Sequence, residues 1–434
     1  MAKTIKFKKQ HKKYPEHKDS GGEWSEDIPN DWLIDKLKHV STLRREKTSI
    51  ESTSSNYLAL ENIESFTGKY IESEIEQEPE SVTNEFHKGD VLFNKLRPYL
   101  AKVFLPDSDG ICTGELLVIH PMANKLIPKF LFYRFLSDDF LSTVNNSTYG
   151  AKMPRANWEF IRNILIGYPE KENQNAIASY LDQKTSLIDQ IIEKKRKLID
   201  LLKEKRTAVI NKAVTKGLDP QAKLVDSGVE WIGKVPQGWR VEKLKYLFDF
   251  QSGDGFPDEL QGQDSGDIPF YKVSDINEEG KYVDKSANYV SIATVNEMNW
   301  HLVKENSILL AKIGAALSKN HRKVTQRQAC IDNNMLAIST KGKILVGYMY
   351  WIWNVINATD FINISSVPSI NMGVLKNHLF PFPDLGEQEK ASKYLDNETA
   401  KVDQIIKQVE CSCNLLQEYK SSLISNVVTG KVEV

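Results

Sequence analysis

Two long stretches of the chain carry apolar residues on a helical rhythm. In the first, positions 177, 181, 188, 191, 198, 202 and 209 are Ile, Leu, Ile, Ile, Leu, Leu and Val, with Lys at the intervening 184, 195 and 205. That alternation of four and three is an imperfect heptad seam. The second seam reads Ala391, Leu395, Glu398, Val402, Ile405, Val409, Ser412, Leu416, Tyr419 and Leu423, with Glu398 and Tyr419 where the first has Lys184 and Lys205. The two helices can therefore pair with each other. Asp384-x-x-Glu387 has the form of a capping box, and Lys216-Gly217 supplies a terminal cation and a helix-ending glycine. A helix from Gln174 to Thr215 would be a rod of roughly 60 Å, long enough to act as a spacer as well as a core.

The chain also repeats itself. Asp19-Ser-Gly-Gly-Glu-Trp24 with Pro29 and Trp32 returns as Asp226-Ser-Gly-Val-Glu-Trp231 with Pro236 and Trp239, each copy running on into Lys-Leu-Lys. A second block, Tyr168-Pro169, Gln174, Tyr180-Leu181-Asp182 and Ile188-Asp189-Gln190-Ile191-Ile192, returns as Phe382-Pro383, Gln388, Tyr394-Leu395-Asp396 and Val402-Asp403-Gln404-Ile405-Ile406. Between the blocks only sparse landmarks agree: Pro154 and Asn157 with Pro368 and Asn371, and Lys95 with Lys312. This is a duplicated frame with divergent contents. The contents, about 33–167 and 240–381, mix β-rich runs (Asp90–Phe93, Leu116–Ile119, Ser307–Leu310, Met335–Ile338) with one helical stretch each, near Phe130–Leu141 and Val346–Asn357. Each reads as an α+β globular domain.

Length and charge narrow the function. A chain of 434 residues with 41% apolar and 26% charged residues has material for two to four domains, and 57 basic against 58 acidic residues leave a net charge of −1. A uniformly basic coat for nucleic acid is excluded. The longest apolar stretch, Ile344–Ile356, is too short to span a membrane. The Lys-rich start has no apolar region after it, and Cys112, Cys330, Cys411 and Cys413 are too sparse for a disulfide framework, so a cytoplasmic location is expected.

Catalytic patterns fail on their chemistry. Gly228-x4-Gly233-Lys234 imitates a phosphate loop, but Val235 stands where a metal-binding hydroxyl is needed. Cys411-x-Cys413 lies in a helical pattern that turns its members to different faces. The eight His are scattered, and there is no Pro-Pro dipeptide for an amino-methyltransferase loop, no G-x-S-x-G and no H-E-x-x-H. A binding protein is the expectation, with no catalytic, cofactor or metal residues.

The basic residues are concentrated locally. From Asn306 to Ile331 there is no acid, while Lys312, Lys319, Arg322, Lys323 and Arg327 supply cations among Asn320 and His321. In the first copy, 91–106 holds Lys95, Arg97, Tyr99 and Lys102, and 140–158 holds Tyr149, Lys152 and Arg155, again without an acid apart from those outside each window. Cations for phosphates mixed with Asn, Arg, Lys and Tyr for base edges suit direct readout of DNA. For one such run a solvated surface loop is the plainer reading, but the pattern recurs at the same place in both copies. The DNA-contact candidates are Lys95, Arg97, Tyr99, Lys152 and Arg155 in the first domain and Lys312, Lys319, Asn320 and Arg322 in the second. The paired Trp24, Trp32, Trp231 and Trp239 are expected to pack the junction between domain and helix.

Taken together, the duplicated Asp-Ser-Gly-x-Glu-Trp entries, the Pro-x-x-Asn landmarks, the aromatic-Pro-x4-Gln turns and the long helix closing each half resemble the DNA-specificity subunit of type I restriction-modification enzymes. The resemblance implies an α+β chain with two target recognition domains separated by two long antiparallel helices forming a coiled coil. Its divisions would be a basic extension (1–18), recognition domain 1 (19–169), spacer helix 1 (170–218), recognition domain 2 (219–383), and spacer helix 2 with the C-terminal tail (384–434). Each domain would read half of a bipartite site in double-stranded DNA. The helices would set the gap and dock two modification subunits. It implies further that S-adenosylmethionine, ATP and Mg2+ belong to those methyltransferase subunits and to the motor-nuclease restriction subunits. A two-domain protein scaffold without base readout is the alternative. With a sequence pI near 6.7 the chain alone is expected to hold DNA weakly in salt.

Overall fold

A computed structural model describes residues 14–21, 27–49, 57–72, 82–150, 152–277, 280–363 and 367–434. The basic run before residue 14, Trp24 and the acidic run beyond Glu72 lie outside these residues. The two heptad stretches are single helices, Lys171–Lys216 and Leu385–Val428. The chain divides into two compact units, residues 1–196 with 409–434 and residues 197–408. Each unit thus contains a stretch of both long helices. Among the described residues no helix is long and apolar enough to cross a membrane.

Within each unit the helices pack together in antiparallel sense. In the first unit Ile177, Leu181, Ile188 and Ile192 share a core with Leu423, Ile424, Val427 and Val428. In the second, Ile210, Ala213 and Val214 share one with Ala391 and Leu395. The seam is more regular than the apolar pattern suggested. Some of the expected positions hold, among them Leu181, Ile188, Leu395, Val402 and Leu423, all buried. At others the buried residue lies one position later: Thr185, Ile192, Ile199, Thr399 and Lys420 are buried, whereas Ile191, Leu198, Ile405 and Tyr419 are exposed. The physical reason is pairing. Thr185 donates to the Asp182 carbonyl, Thr399 to the Leu395 carbonyl, and Lys420, 3% exposed, reaches Asp189 at 2.7 Å. Arg206 meets Asp403 at 2.8 Å on the equivalent stripe. A polar side chain with a partner tolerates burial that its hydropathy alone would forbid.

The two domains share a frame. In the first unit a four-stranded antiparallel sheet runs Ser41–Leu43, Leu116–Pro121, Val91–Asn94, Val103–Phe104. A second four-stranded sheet runs Lys47–Ser49, Val82–Phe86, Gly110–Cys112, Tyr57–Leu58. In the second unit a five-stranded sheet runs Phe248–Ser252, Met335–Thr340, Ile308–Ala311, Arg322–Thr325, Tyr282–Val283, beside a three-stranded one. The expected helical stretches are Pro128–Phe135 with Asp138–Asn146, broken at Ser137, and Val346–Val355. In each unit an antiparallel pair, Leu33–Lys36 with Leu165–Tyr168 or Arg240–Lys243 with Leu379–Phe382, brings the chain back to the start of its long helix.

There a glutamine joins domain to helix. Gln174 and Gln388 are each 0% exposed. Gln174 donates to the Lys125 and Pro169 carbonyls, both at 2.8 Å, and accepts from the Ile127 N–H at 2.9 Å. Gln388 donates to the Lys343 and Pro383 carbonyls, both at 3.0 Å, and accepts from the Leu345 N–H at 2.8 Å. The tryptophans share this neighbourhood unequally. Trp32 is fully buried, edge-on to Tyr14 and Phe130, and Trp239 donates its indole N–H to Glu387 at 3.1 Å. That leaves Asp384 to accept from the Glu387 N–H, so only half of the expected capping box forms. Trp231 is exposed and stacks on His378.

A charge cluster anchors the start of strand Val91–Asn94. Asp90 is fully buried and accepts from the Arg44 guanidinium, the His87 N–H and His120. Burial pushes its carboxyl up, but those hydrogen bonds prevail and hold it below the usual carboxylate range. His87 faces Asp109 at 3.0 Å and Glu46 at 3.3 Å; the bond to Asp109 is the main cause that raises it above an ordinary histidine.

Two outcomes follow from these contacts. Gln174→Ala or Gln388→Ala strands one N–H and two carbonyls in a dry junction, and thermal unfolding should show a loss of about 2 to 4 kcal/mol. Gln→Glu, which can donate to neither carbonyl, should be no better. For His87 the raised folded value means that its contribution is complete below its ordinary pKa and is lost as pH rises through the folded one. Melting curves across that window should lose stability in the parent chain, while His87→Gln flattens the loss.

Candidate nucleic-acid interface

Strand Val91–Asn94 is buried along its length, and the chain emerges from it at Lys95. Backbone bonds fix the emergence: Lys95 N–H to the Glu115 carbonyl (3.1 Å), Ala156 N–H to the Lys95 carbonyl (2.9 Å), Arg97 N–H to the Pro154 carbonyl (2.7 Å) and Leu100 N–H to the Arg97 carbonyl (3.0 Å). The second unit repeats the set after strand Ile308–Ala311: Lys312 N–H to Asn334 (2.7 Å), Ile370 N–H to Lys312 (3.0 Å), Gly314 N–H to Pro368 (2.8 Å) and Leu317 N–H to Gly314 (3.1 Å). Loops 95–100 and 312–317 are therefore one structure built twice. The landmarks Lys95/Lys312 and Pro154/Pro368 are its backbone partners. Asn157 and Asn371 cap the short helices that follow, accepting from Glu159 N–H at 3.0 Å and from Gly373 and Val374 N–H at 3.0 and 3.1 Å.

In the first unit this pairing merges two acid-free stretches, 91–106 and 140–158, into one surface. Tyr149 and Arg155 exchange both backbone bonds, and Gly150 turns with φ +94°. Arg97, Tyr99 and Lys152 are exposed and Lys95 is half-buried. The Arg97 guanidinium has a long bond of 3.5 Å to the Lys152 carbonyl. Tyr149, 63% exposed, belongs to the same surface and was not among the sequence candidates; its place on the loop opposite Arg97 becomes visible only once the loops pair. Arg155 differs: it forms a two-pronged pair with Glu115, at 2.9 and 3.3 Å, and this bond raises its pKa. Glu115 lies outside both acid-free windows, which is why sequence could not see it.

The cationic run of the second unit is dispersed by the fold. Arg322 is 8% exposed and donates to the carbonyls of Asn320 and Ile356 and to the Asn320 side chain, which also accepts from the Ala358 N–H. Burial pushes its pKa down to about 10. Arg322 and Asn320 thus hold a loop together inside the domain. Arg322 opens Arg322–Thr325, an interior strand of the five-stranded sheet that is buried at every residue, and Asn320 ends the short helix Ala316–Lys319 just before it. Arg327 lies over the Tyr289 ring, 5.3 Å from its centre. Of the second-domain candidates, Lys319 is exposed and Lys312 half-buried.

The segment Gly228–Lys234 closes a hairpin between Leu224–Asp226 and Lys234–Pro236, with no strand-to-helix turn. Among the described residues one trio, Glu46, Glu85 and His87, approaches closely enough to hold a metal, but His87 already faces two carboxylates and Arg44 sits on Glu46 at 2.9 Å.

Comparison with known proteins places this frame. A family model described as the type I restriction modification DNA specificity domain matches twice, over residues 29–201 and 236–410. The MjaVIII specificity subunit of Methanocaldococcus jannaschii is 22% identical over 94% of each chain. The EcoDI specificity subunit of Escherichia coli is 28% identical over 38% of this chain and 37% of that subunit. Among solved structures, a chain from the structural study of complex assembly and conformational transition of the type I R-M system has a TM-score of 0.73 at 19% identity, covering 92% of this chain and 98% of that one. The HsdS subunit from Thermoanaerobacter tengcongensis has a TM-score of 0.53 at 18% identity, covering 94% and 99%. With both copies of its frame matched by the family model, the chain belongs to the type I restriction-modification DNA-specificity family.

Proposed function

We propose that this chain is the non-catalytic DNA-reading subunit of a type I restriction-modification complex. Each domain reads one half of a bipartite site in double-stranded DNA through its paired loops. The observation that supports this most is the loop pair itself, held by the same backbone bonds in both units while its side chains differ. A frame of that kind keeps position constant and lets chemistry vary, which is what two unlike half-sites require. Lys95, Arg97, Tyr99 and Lys152 are the contacts proposed for the first domain, Lys312 and Lys319 for the second. Arg155, Asn320 and Arg322 are assigned to shaping the loops.

The long helices set the spacing and dock two modification subunits. Exposed apolar side chains support docking: Leu187 and Ile191 in the first unit, Leu198, Leu201 and Ile405 in the second. Adenine methylation with S-adenosylmethionine belongs to the docked methyltransferases. ATP-dependent, Mg2+-requiring cleavage belongs to the restriction subunits.

The test is long-read methylation mapping of DNA from cells that co-express the chain with its modification subunits. A bipartite methylated motif should appear, and exchanging residues 33–167 should change one half only. A folded, assembled complex that produces no motif would favour a protein scaffold. For the assembled complex, Lys95→Ala with Lys152→Ala should weaken binding of all sequences alike. The slope of log affinity against log salt should fall by about one for each lost phosphate contact.

A further inference from the structure

Arg97 sits in a backbone conformation that arginine avoids. Its φ and ψ are +53° and +62°, in the left-handed region, immediately before Pro98. A side chain there crowds the following carbonyl, and the proline disfavours the right-handed helical alternative. The corresponding residue of the second loop pair is Gly314, also at positive φ, +87°, where glycine carries no such penalty. The four backbone bonds described above are the same on both loops. The frame therefore accepts glycine at this point, and the first domain instead carries the residue that strains it.

The arginine gives the fold little in return. The residue is exposed, and its guanidinium makes a long 3.5 Å approach to the Lys152 carbonyl. A phosphate contact does not need so costly a root, because Lys95 and Lys152 stand beside it. Base readout does need a fixed root, and here the N–H and C=O of residue 97 are both tied, to Pro154 and Leu100. A planar fork of donors held in place matches the two acceptors on the major-groove edge of guanine. The loop of the second domain, with Gly314 and Ala316 where the first has Arg97 and Tyr99, offers no such fork.

Building on the reading of the loop pair as the DNA-facing surface, we propose that Arg97 is a specificity-determining residue that reads a guanine in the half-site of the first domain. Strained backbone kept at an exposed position is the mark of a residue retained for what it contacts.

The experiment compares parent, Arg97→Gly and Arg97→Lys chains in cells that supply the modification subunits, by methylation mapping, with melting of each purified complex. Arg97→Gly should melt no lower than the parent, because the left-handed strain is relieved. Its motif should become degenerate at one guanine position of one half, a discrimination of roughly 5- to 150-fold collapsing toward none, with the other half unchanged. Arg97→Lys should show the same degeneracy, since an ammonium cannot form the fork. If both variants keep the parent motif, or if Arg97→Gly lowers methylation equally at all sequences while Arg97→Lys does not, the proposal fails. Absence of any bipartite motif in the parent would instead overturn the DNA-reading function on which it rests.

Discussion

Each unit depends on one buried amide. The loop packed against the start of each long helix brings an N–H and a carbonyl that water cannot reach, beside the carbonyl of the proline before the helix. A single glutamine at the first turn answers all three, because its side chain is donor and acceptor at once. Gln174 and Gln388 bind the proline carbonyl that precedes their own helix and both backbone polarities of a loop some 45 residues away. Neither an apolar residue nor a carboxylate could satisfy that set. The strand pairs and tryptophans around the glutamines pack onto a junction that they already orient.

Charge placed inside the helical seams adds register. Lys420 is nearly buried against Asp189, which also receives Lys69 from the domain at 2.7 Å. Sliding one helix by a residue would bury that ammonium without its carboxylate, a loss of about 3 to 5 kcal/mol. The seam thus pairs apolar filling with a polar contact that has only one correct alignment. Its Ile and Thr members supply volume, and the ion pair selects among alignments that volume alone would leave close in energy.

Much of this was legible in the sequence. The duplication, the helices, the strands Val91–Asn94 and Met335–Thr340 and the landmarks Pro154, Pro368, Lys95 and Lys312 could be read from residue pattern because periodicity and repetition are local or self-referential signals. The seam was half legible: hydropathy favoured Ile191 and Tyr419, whereas the fold buried Ile192 and Lys420. For Lys420 partnering decided that, and its partner Asp189 lies 231 residues away. The exposure of the cationic candidates was only partly legible, for the same reason. Arg155 and Arg322 look alike as cations in a row, but Glu115 pairs with the first and the carbonyls of Asn320 and Ile356 hold the second inside the domain. Composition counts charges, and only tertiary contacts show which remain available.

The loop pairs are held through main-chain N–H and C=O groups, which every residue type but proline possesses in full. Mutation at positions such as 97, 99, 314 or 316 can therefore alter the displayed chemistry without dismantling the display. The selectable trait is uncoupled from the architecture that exhibits it. A lineage carrying this chain can vary what one loop pair displays, by single substitutions, while the junctions and helices stay constant. Duplication doubles the latitude: one copy keeps its surface while the other drifts.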